Sequence, residues 1–160
     1  MLSSKAKYAV RAVLAMAAAR SADTWVNAGQ IARDERIPHK YLEAILVCLR
    51  DDRLIESRRG PGGGHRLQVP AEALTVADII RSIDGPLALT PCASRTRFRA
   101  CEDCPDLKTC RLRHLMQQAR DAVATVLEGC TIAALLAAPR QLEEVLGTPP
   151  HRGGAMKAGA

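Results

Sequence analysis

Aromatic residues are scarce in this chain, since one Trp, two Tyr and one Phe account for 2% of its 160 residues. A core built on packed aromatic rings is therefore excluded. Hydrophobic residues still make up 48% of the sequence, enough to bury an aliphatic core of Ala, Leu, Ile and Val. Because Ala and Leu are strong helix formers, this composition favours a mainly helical fold. The length fits one ordinary domain, or one small domain with an appended element.

Long apolar runs are also missing, since no stretch reaches the about 18 consecutive apolar residues that a membrane span needs. The segment Val10–Ala19 follows Lys5 and Lys7 and imitates a secretory signal, but Arg11 interrupts it. An amphipathic first helix explains this pattern better. We therefore expect a cytoplasmic protein with no membrane partner, in a compartment where thiols stay reduced.

Common catalytic motifs are absent from the sequence as well. It contains no G-x-S-x-G nucleophile elbow, no H-E-x-x-H and no paired carboxylates in a recognisable setting. The glycine run Gly60–Gly64 lacks the Gly-Lys-Ser/Thr ending of a phosphate-binding P-loop and the G-x-G-x-x-G spacing. We do not expect an enzyme.

The chain does carry an excess of basic residues, with a formal charge of +6, and nucleic acid is the commonest anionic partner. Residues 28–51 predict two short helices joined by a turn at Ile37-Pro38. Alternating residues on both sides of Gly60–Gly64 predict a β-hairpin directly afterwards, the position of a wing. The sequence thus predicts a mainly α fold with a small β-hairpin wing, a winged helix-turn-helix that binds double-stranded DNA.

The second of these helices has two distinct faces. Its apolar face is predicted to contain Tyr41, Leu42, Ile45, Leu46 and Leu49. On the other face, His39, Lys40 and Glu43 have the spacing of DNA-reading side chains, and Glu43 could accept a hydrogen bond from cytosine N4. A solvated polar face on a core helix explains each of these three residues equally well.

The wing carries a more specific signal, because basic side chains flank its glycine turn. Glycines let a backbone approach a phosphate or enter a minor groove, whose negative potential attracts arginine. The candidate contacts are Arg58, Arg59, Gly60, Gly62, Gly63, His65 and Arg66. The alternative is an exposed tight turn whose glycines serve backbone geometry alone, but the flanking arginines favour contact with DNA.

Four cysteines follow the wing at the spacing C-x8-C-x2-C-x5-C, namely Cys92, Cys101, Cys104 and Cys110. Thiolates are the preferred ligands of iron–sulfur clusters and of structural zinc. Zinc sites most often use two C-x2-C pairs, and this segment has one, so the spacing favours a cluster over zinc. Two further thiols, Cys48 and Cys130, are predicted to pack as small hydrophobic residues.

A long helix is predicted from Arg111 onward. Apolar residues alternate in steps of four and three along it, a heptad seam that requires a partner. They are Leu112, Met116, Ala119, Val123, Val126 and Cys130. A second copy of the chain is the preferred partner, and the first helix is the alternative. We expect a DNA-binding domain at 1–86, a cysteine loop at 87–110, a dimerisation helix at 111–138, and a short helix with a disordered tail at 139–160.

Several strings of this sequence together resemble one known family. They are Ile31-Ala32, the segment 37–49, the segment 54–67 with its glycine run, Val76–Ile80, and the cysteine loop before a long helix. Over Met1 to Ala137 the chain resembles the IscR/NsrR/RirA family of bacterial winged-helix repressors. The resemblance implies a homodimer on palindromic operators, a dimer interface on the long helix, and loop cysteines that hold an iron–sulfur cluster, [4Fe-4S] or [2Fe-2S].

Individual positions carry the resemblance into the DNA-binding half. Tyr41 and Glu43 match the recognition-helix pattern of the family, and Arg59 with the glycines matches its wing. His65 is a departure, because the family usually has a tyrosine there. Histidine is able to keep part of the packing of that ring.

The cysteine loop matches the family less well. Family members typically place three cysteines there, with five residues between the last two. Cys104 and Cys110 reproduce this interval, and Cys92 resembles the first cysteine. Cys101 is then an extra thiol: a fourth ligand, an alternative to Cys104, or a resolving thiol.

Together these features predict a homodimeric transcriptional regulator, a repressor, whose operator binding is controlled by a cluster that senses iron, redox state or nitric oxide. One alternative is a regulator in which the loop is a thiol–disulfide switch or is stabilised by zinc. Another is a small iron–sulfur electron-transfer or adaptor protein without a role on DNA.

Overall fold

The computed structural model describes residues 2–19, 24–102, 104 and 106–138. The helices are α1 Ser4–Ala17, α2 Ala28–Asp34, α3 His39–Asp51, α4 Val76–Asp84, α5 Arg111–Glu128 and α6 Ile132–Ala137, and the strands are β1 Ile55–Arg58 and β2 Gly64–Leu67. The predicted mainly helical fold with a hairpin wing is confirmed. The short helix and tail predicted for 139–160 lie outside the described residues.

Helix α1 lies at the centre of the fold because small residues line its buried face. The Ser3 hydroxyl caps its start by accepting a hydrogen bond from the Ala6 backbone N–H at 2.9 Å. Ala6, Ala9 and Ala12 are completely buried. Since the distance between packed helices depends on the side chains at the contact, these alanines let α3 and α4 lie close against α1.

The helix-turn-helix forms where the sequence predicts it. The Asn27 side chain caps α2, and the chain then turns at Arg36, whose φ is +50°. Pro38 stands at the N-cap of α3, where its missing N–H costs no hydrogen bond. The apolar face of α3 enters the core through Leu42, Ile45, Leu46 and Leu49.

The wing is an antiparallel hairpin in which Arg58 pairs with Gly64 at the turn end. An isolated β-bridge adjoins it, because the Val26 N–H donates to the His65 carbonyl and the His65 N–H donates to the Val26 carbonyl, both at 2.9 Å. This bridge ties the wing to the segment before α2. The hairpin was predicted from the sequence, but the bridge at Val26 was not.

Helix α4 begins directly after its N-cap, Thr75. Thr75 and Asp78 form a reciprocal capping box, each side chain bonded to the backbone of the other residue. The same Thr75 pairs with Thr131 in an isolated β-bridge. The segment before α6 is therefore held against the start of α4.

The predicted long helix is two helices. Helix α5 ends at Glu128, whereas the heptad pattern predicted that the helix would include Cys130. Gly129 follows, and the Thr131 hydroxyl caps α6 by accepting from the Ala134 backbone N–H at 3.1 Å. The chain turns here because Ile132 is completely buried in the core.

Between α4 and α5 the described residues contain no α-helix or strand, in agreement with the absence of periodicity in the sequence. The segment has one turn of 3₁₀ helix, Pro91–Ala93. Among all the helices in the described ranges, none is long and apolar enough to cross a lipid bilayer.

Candidate functional site

The start of α3 presents its polar side chains to solvent. His39, Lys40 and Glu43 are exposed, and His39 Nδ1 lies 3.4 Å from Glu43 Oε1, one helical turn away. Tyr41 was predicted on the apolar face, but 54% of its surface is exposed. It lies at the edge of that face, packed edge-on against Tyr8 with 6.4 Å between ring centroids. All four candidate DNA contacts on α3 are accessible.

Backbone geometry requires glycines in the wing turn. Gly60 and Gly62 have φ of +93° and +73°, values that residues with a side chain rarely adopt. At Gly63, a Cβ atom would overlap the Arg58 carbonyl oxygen. Arg58 also closes the turn, since its Nη2 donates to the Gly62 carbonyl at 2.7 Å. The turn thus presents Arg58 and Arg59 as exposed cations on a defined backbone.

His65 and Arg66 are held within the hairpin and are half-buried. The Ser57 hydroxyl lies 2.8 Å from His65 Nδ1, and Arg66 pairs with the Glu56 carboxylate at 2.5 Å. Burial lowers the pKa of His65, and the positive charge of Arg50 lowers it further. The neutral form of this imidazole is therefore favoured in the folded wing.

Helix α3 and the wing border one groove. Its lining includes His39, Glu43 and Arg50 from α3, and Ser57, Arg59 and His65 from the wing. The polar side chains of the helix and a cation of the wing therefore face the same open space. A polar helix beside a basic hairpin can contact base edges and phosphates of one DNA segment together.

One residue beside the wing was missed by the sequence reasoning. The guanidinium carbons of Arg58 and Arg66 each lie 4.7 Å from the ring centroid of Trp25. This position depends on the pairing of Val26 with β2, about 40 residues further along the chain. No local pattern signals such a pairing.

The first cysteine of the loop is buried in the 3₁₀ turn. The Thr90 hydroxyl lies 3.5 Å from Cys92 Sγ. This contact lowers the pKa of the Cys92 thiol, and the Cys101 thiol and the Arg113 guanidinium lower it further, while burial acts in the opposite direction. Cys92 is thus a shielded thiol in surroundings that stabilise its thiolate.

The fold brings all four predicted thiols into one neighbourhood, as two pairs. Cys101 neighbours Cys92, and Cys110 neighbours Cys104, and the charges of Cys92 and Cys104 also interact. Burial and the neighbouring Cys110 raise the pKa of Cys104. Within the described part of the chain, no three His, Cys, Asp or Glu side chains converge tightly enough to hold a single metal ion.

Helix α5 holds this cysteine turn in place. Cys110 is the N-cap of α5, and its Sγ accepts from the Arg113 backbone N–H at 3.4 Å. The Arg113 side chain donates to the Cys92 carbonyl at 3.1 Å. Two helical turns further along the same face, the buried Arg120 donates to the Ala93 carbonyl. We call these two arginine contacts the carbonyl clamp.

The two remaining thiols lie away from the loop. Cys48 is half-buried in α3, with the Lys5 ammonium 3.6 Å from its Sγ. Cys130 is half-buried and packs against the core. Both positions fit the packing role that the sequence predicts.

Helix α5 leaves a large apolar face uncovered. Leu112, Leu115, Val123 and Val126 are between 43% and 68% exposed. The stripe differs slightly from the predicted seam, because Leu115 is exposed whereas Met116 is half-buried. An apolar stripe of this length on one helix is typical of a surface that another protein chain covers.

Comparison with known proteins adds independent evidence. Residues 2–138 match the Rrf2 family model, described as an iron-dependent transcriptional regulator. An rrf2-like HTH-type transcriptional regulator of Rhodobacter capsulatus is 32% identical over 148 residues, covering 91% of this chain and 99% of that protein. The HTH-type transcriptional regulator IscR of Yersinia pseudotuberculosis is 32% identical over 135 residues, 84% of this chain and 78% of that protein.

A solved structure shares the fold. It is CymR, the global cysteine regulator of B. subtilis, with a TM-score of 0.67 and 29% identity. The alignment covers 85% of this chain and 95% of that one.

The lowered pKa of His65 predicts an acid-sensitive wing. The pKa of His65 is lower in the folded protein than in the unfolded chain. The contribution of His65 to the free energy of unfolding is therefore fully present above about pH 6.5, the ordinary histidine value. It is lost as the pH falls from there through the folded pKa. We expect His65→Asn, which keeps an acceptor near the Nδ1 position, to lose less unfolding free energy between pH 7.5 and 5.5 than the native chain. Urea denaturation at both pH values measures this, and equal losses would contradict the assignment.

Proposed function

The chain belongs to the Rrf2 family of transcriptional regulators, and we propose that it is a homodimeric repressor whose operator affinity is controlled by an iron–sulfur cluster on its cysteine loop. Members of this family regulate transcription through DNA and are not enzymes. The observation that carries the proposal is the carbonyl clamp, by which α5 holds the turn of Cys92. Acting beside DNA, the protein would reside in the cytoplasm.

In this proposal α3 enters the major groove and the wing lies along the adjacent backbone or minor groove. His39, Lys40, Tyr41 and Glu43 are exposed at the start of α3, where a recognition helix contacts base edges. Arg58 and Arg59 supply the cations that fix the protein on phosphates. The glycine turn brings the backbone close to the DNA, and His65 and Arg66 contact it from strand β2.

A second copy of the chain is the partner that best fits the apolar face of α5. Leu112, Leu115, Ala119, Ala122 and Val126 follow one another in steps of three and four, the repeat of a two-helix seam. Pairing this face places the winged helix-turn-helix domains of the two chains on one DNA duplex. Half-sites about 10 base pairs apart, or a multiple of that, then form a palindromic operator.

The donor set of the loop fits an iron–sulfur cluster. It consists of thiols alone, from Cys92, Cys101, Cys104 and Cys110, gathered between α4 and α5. Arg95, Arg97, Arg99, Lys108 and Arg111 are close along the chain and would offset the negative charge of the ligated group. When bound, the cluster would supply a group whose composition or oxidation state changes with iron supply, oxidants or nitric oxide. Zinc is the alternative occupant.

The chain's own residues connect the thiols to the dimer. Cys110 caps α5, so a change at its Sγ acts on the first turn of the dimerisation helix. Arg113 and Arg120 hold the carbonyls of Cys92 and Ala93 from the same helix. A rearranged loop would therefore shift α5, and with it the angle between the two winged helix-turn-helix domains of the dimer.

A second candidate is a thiol–disulfide regulator without a cluster. The pairing of Cys92 with Cys101 and of Cys104 with Cys110 supports it, since neighbouring thiols can be oxidised to disulfides. The structural similarity to CymR fits this candidate as well as the first. The colour of the purified protein and its iron and sulfide content distinguish the two candidate functions.

The DNA interface is tested by removing one wing cation. We expect Arg59→Gln to weaken binding to an operator selected by the native protein. The plot of the logarithm of the association constant against the logarithm of salt concentration should become less steep by about one, because one phosphate contact is lost. Arg99→Gln replaces an exposed arginine of the cysteine loop and removes the same charge outside the wing. In protein measured without added iron and sulfide, it should leave that slope unchanged. Equal slopes for native and Arg59→Gln protein would rule out the wing contact.

The cluster is tested on protein reconstituted anaerobically with iron and sulfide. Native protein should become brown, with visible charge-transfer absorption, and its operator affinity should change when oxidant is added. Cys92→Ala, Cys104→Ala and Cys110→Ala should lose both properties, while Cys101→Ala reports whether the extra thiol is a ligand. Cys48→Ala serves as the control and should retain them. Colourless native protein whose affinity still responds to oxidant would favour the thiol–disulfide regulator.

The dimer is tested with a charge on the apolar face of α5. Val126→Glu places a carboxylate at a position that is 68% exposed in the single chain and buried in the proposed dimer. Analytical ultracentrifugation should show monomers for this variant and dimers for the native protein. Gln118→Glu, also exposed on α5 but outside the stripe, should stay dimeric. A dimeric Val126→Glu protein would place the interface elsewhere.

A further inference from the structure

The wing hairpin and the segment bridged to it gather one aromatic and three charged side chains on one face. Val26 pairs with His65, so in this antiparallel arrangement Trp25 stands opposite Arg66. Arg66 in turn pairs with Glu56 on β1. Since side chains alternate along a strand, Arg58 shares the face of Glu56. The contacts agree, because both guanidinium groups lie against the Trp25 ring.

The two arginines differ in what else they contact. Arg66 is half-buried and pairs with the Glu56 carboxylate. Arg58 is exposed and donates to the Gly62 carbonyl of the turn. In the described part of the chain no carboxylate pairs with Arg58. Its charge is therefore available to an anion, while its position is set by an aromatic ring and a carbonyl.

The geometry points to Trp25 as a positioning residue for DNA binding, one that holds Arg58 over the wing turn before DNA arrives. This inference rests on the proposed contact between the wing and DNA. An indole ring attracts a guanidinium within about 6 Å of its centroid, and both arginines here lie at 4.7 Å. Trp25 itself contacts the arginines and not the bases.

The Trp25 ring contributes by preorganising the Arg58 side chain for binding. A free arginine side chain loses rotamer freedom when it binds a phosphate, and a side chain already held in place loses less. Removing the ring should therefore weaken operator binding by about three- to tenfold, the range for ordering one long side chain. The salt dependence should remain native, because Arg58 still reaches the DNA.

A double-mutant cycle on the full-length protein tests this. Operator affinity is measured for the native chain, Trp25→Leu, Arg58→Gln and the double variant. If Trp25 acts through Arg58, Trp25→Leu should change the affinity of the Arg58→Gln protein by less than about twofold. Trp25→Phe, which keeps a ring, should recover part of the native affinity. Additive losses in the double variant would overturn the inference.

The same cycle separates this inference from the proposed DNA interface. If Arg59→Gln weakens binding but Arg58→Gln does not, the wing contact stands and Trp25 has no such role. If neither variant weakens binding, the wing contact itself fails.

A measurement on the native ring covers the case in which Trp25→Leu does not fold. Trp25 is the one tryptophan of the chain, so tryptophan fluorescence reports on it alone. Because the Arg58 guanidinium already lies against the ring in the free protein, Arg58→Gln should change the Trp25 emission before any DNA is added. Equal emission of native and Arg58→Gln protein in the absence of DNA would contradict the link between Trp25 and Arg58.

Discussion

The close packing around α1 is the constraint on which the other elements depend. A row of alanines, Ala6, Ala9 and Ala12, presents almost bare backbone to α3 and α4, and the same helix also contacts α6 and β2. Larger side chains here would push these elements apart, because protein interiors have few voids and little room for added volume. The orientation of α3 and of the wing relative to the rest of the fold is set by this contact.

The carbonyl clamp extends this rigid unit to the cysteine loop. Arg120 is 9% exposed, and a buried guanidinium has to be hydrogen-bonded to be tolerated. It bonds to the Ala93 carbonyl and to Asp121, and the hydrogen bond from Arg120 lowers the pKa of that carboxyl group, with Arg95 adding to the effect. The 3₁₀ turn with Cys92 therefore follows α5, the helix that carries the uncovered apolar face. Under the proposed function, one helix would therefore link the cysteine loop to the dimer interface.

Much of the fold could be predicted from short stretches of sequence. Ser and Thr are favoured where a helix begins, and the caps at Ser3 and Thr75 follow this local preference, while the glycine run favours a turn. The end of the long helix was not predictable. The heptad pattern continued through Cys130, whereas α5 ends at Glu128. The chain turns there because Ile132 is buried in the core.

The candidate site divides in the same way. The sequence by itself determined the residue types and their spacing: a polar helix start, two arginines before a glycine turn, and four thiols in one loop. Only the tertiary structure decided that Cys92 adjoins Cys101 and that Trp25 lies against Arg58. Caps, turns and thiol spacing are set by interactions within a few residues. Cys92 and Cys101 lie in one loop that has no α-helix or strand between them, and the shape of this loop depends on its contacts with α5. The contact between Trp25 and the wing joins segments distant in the chain, and packing of the whole fold brings them together.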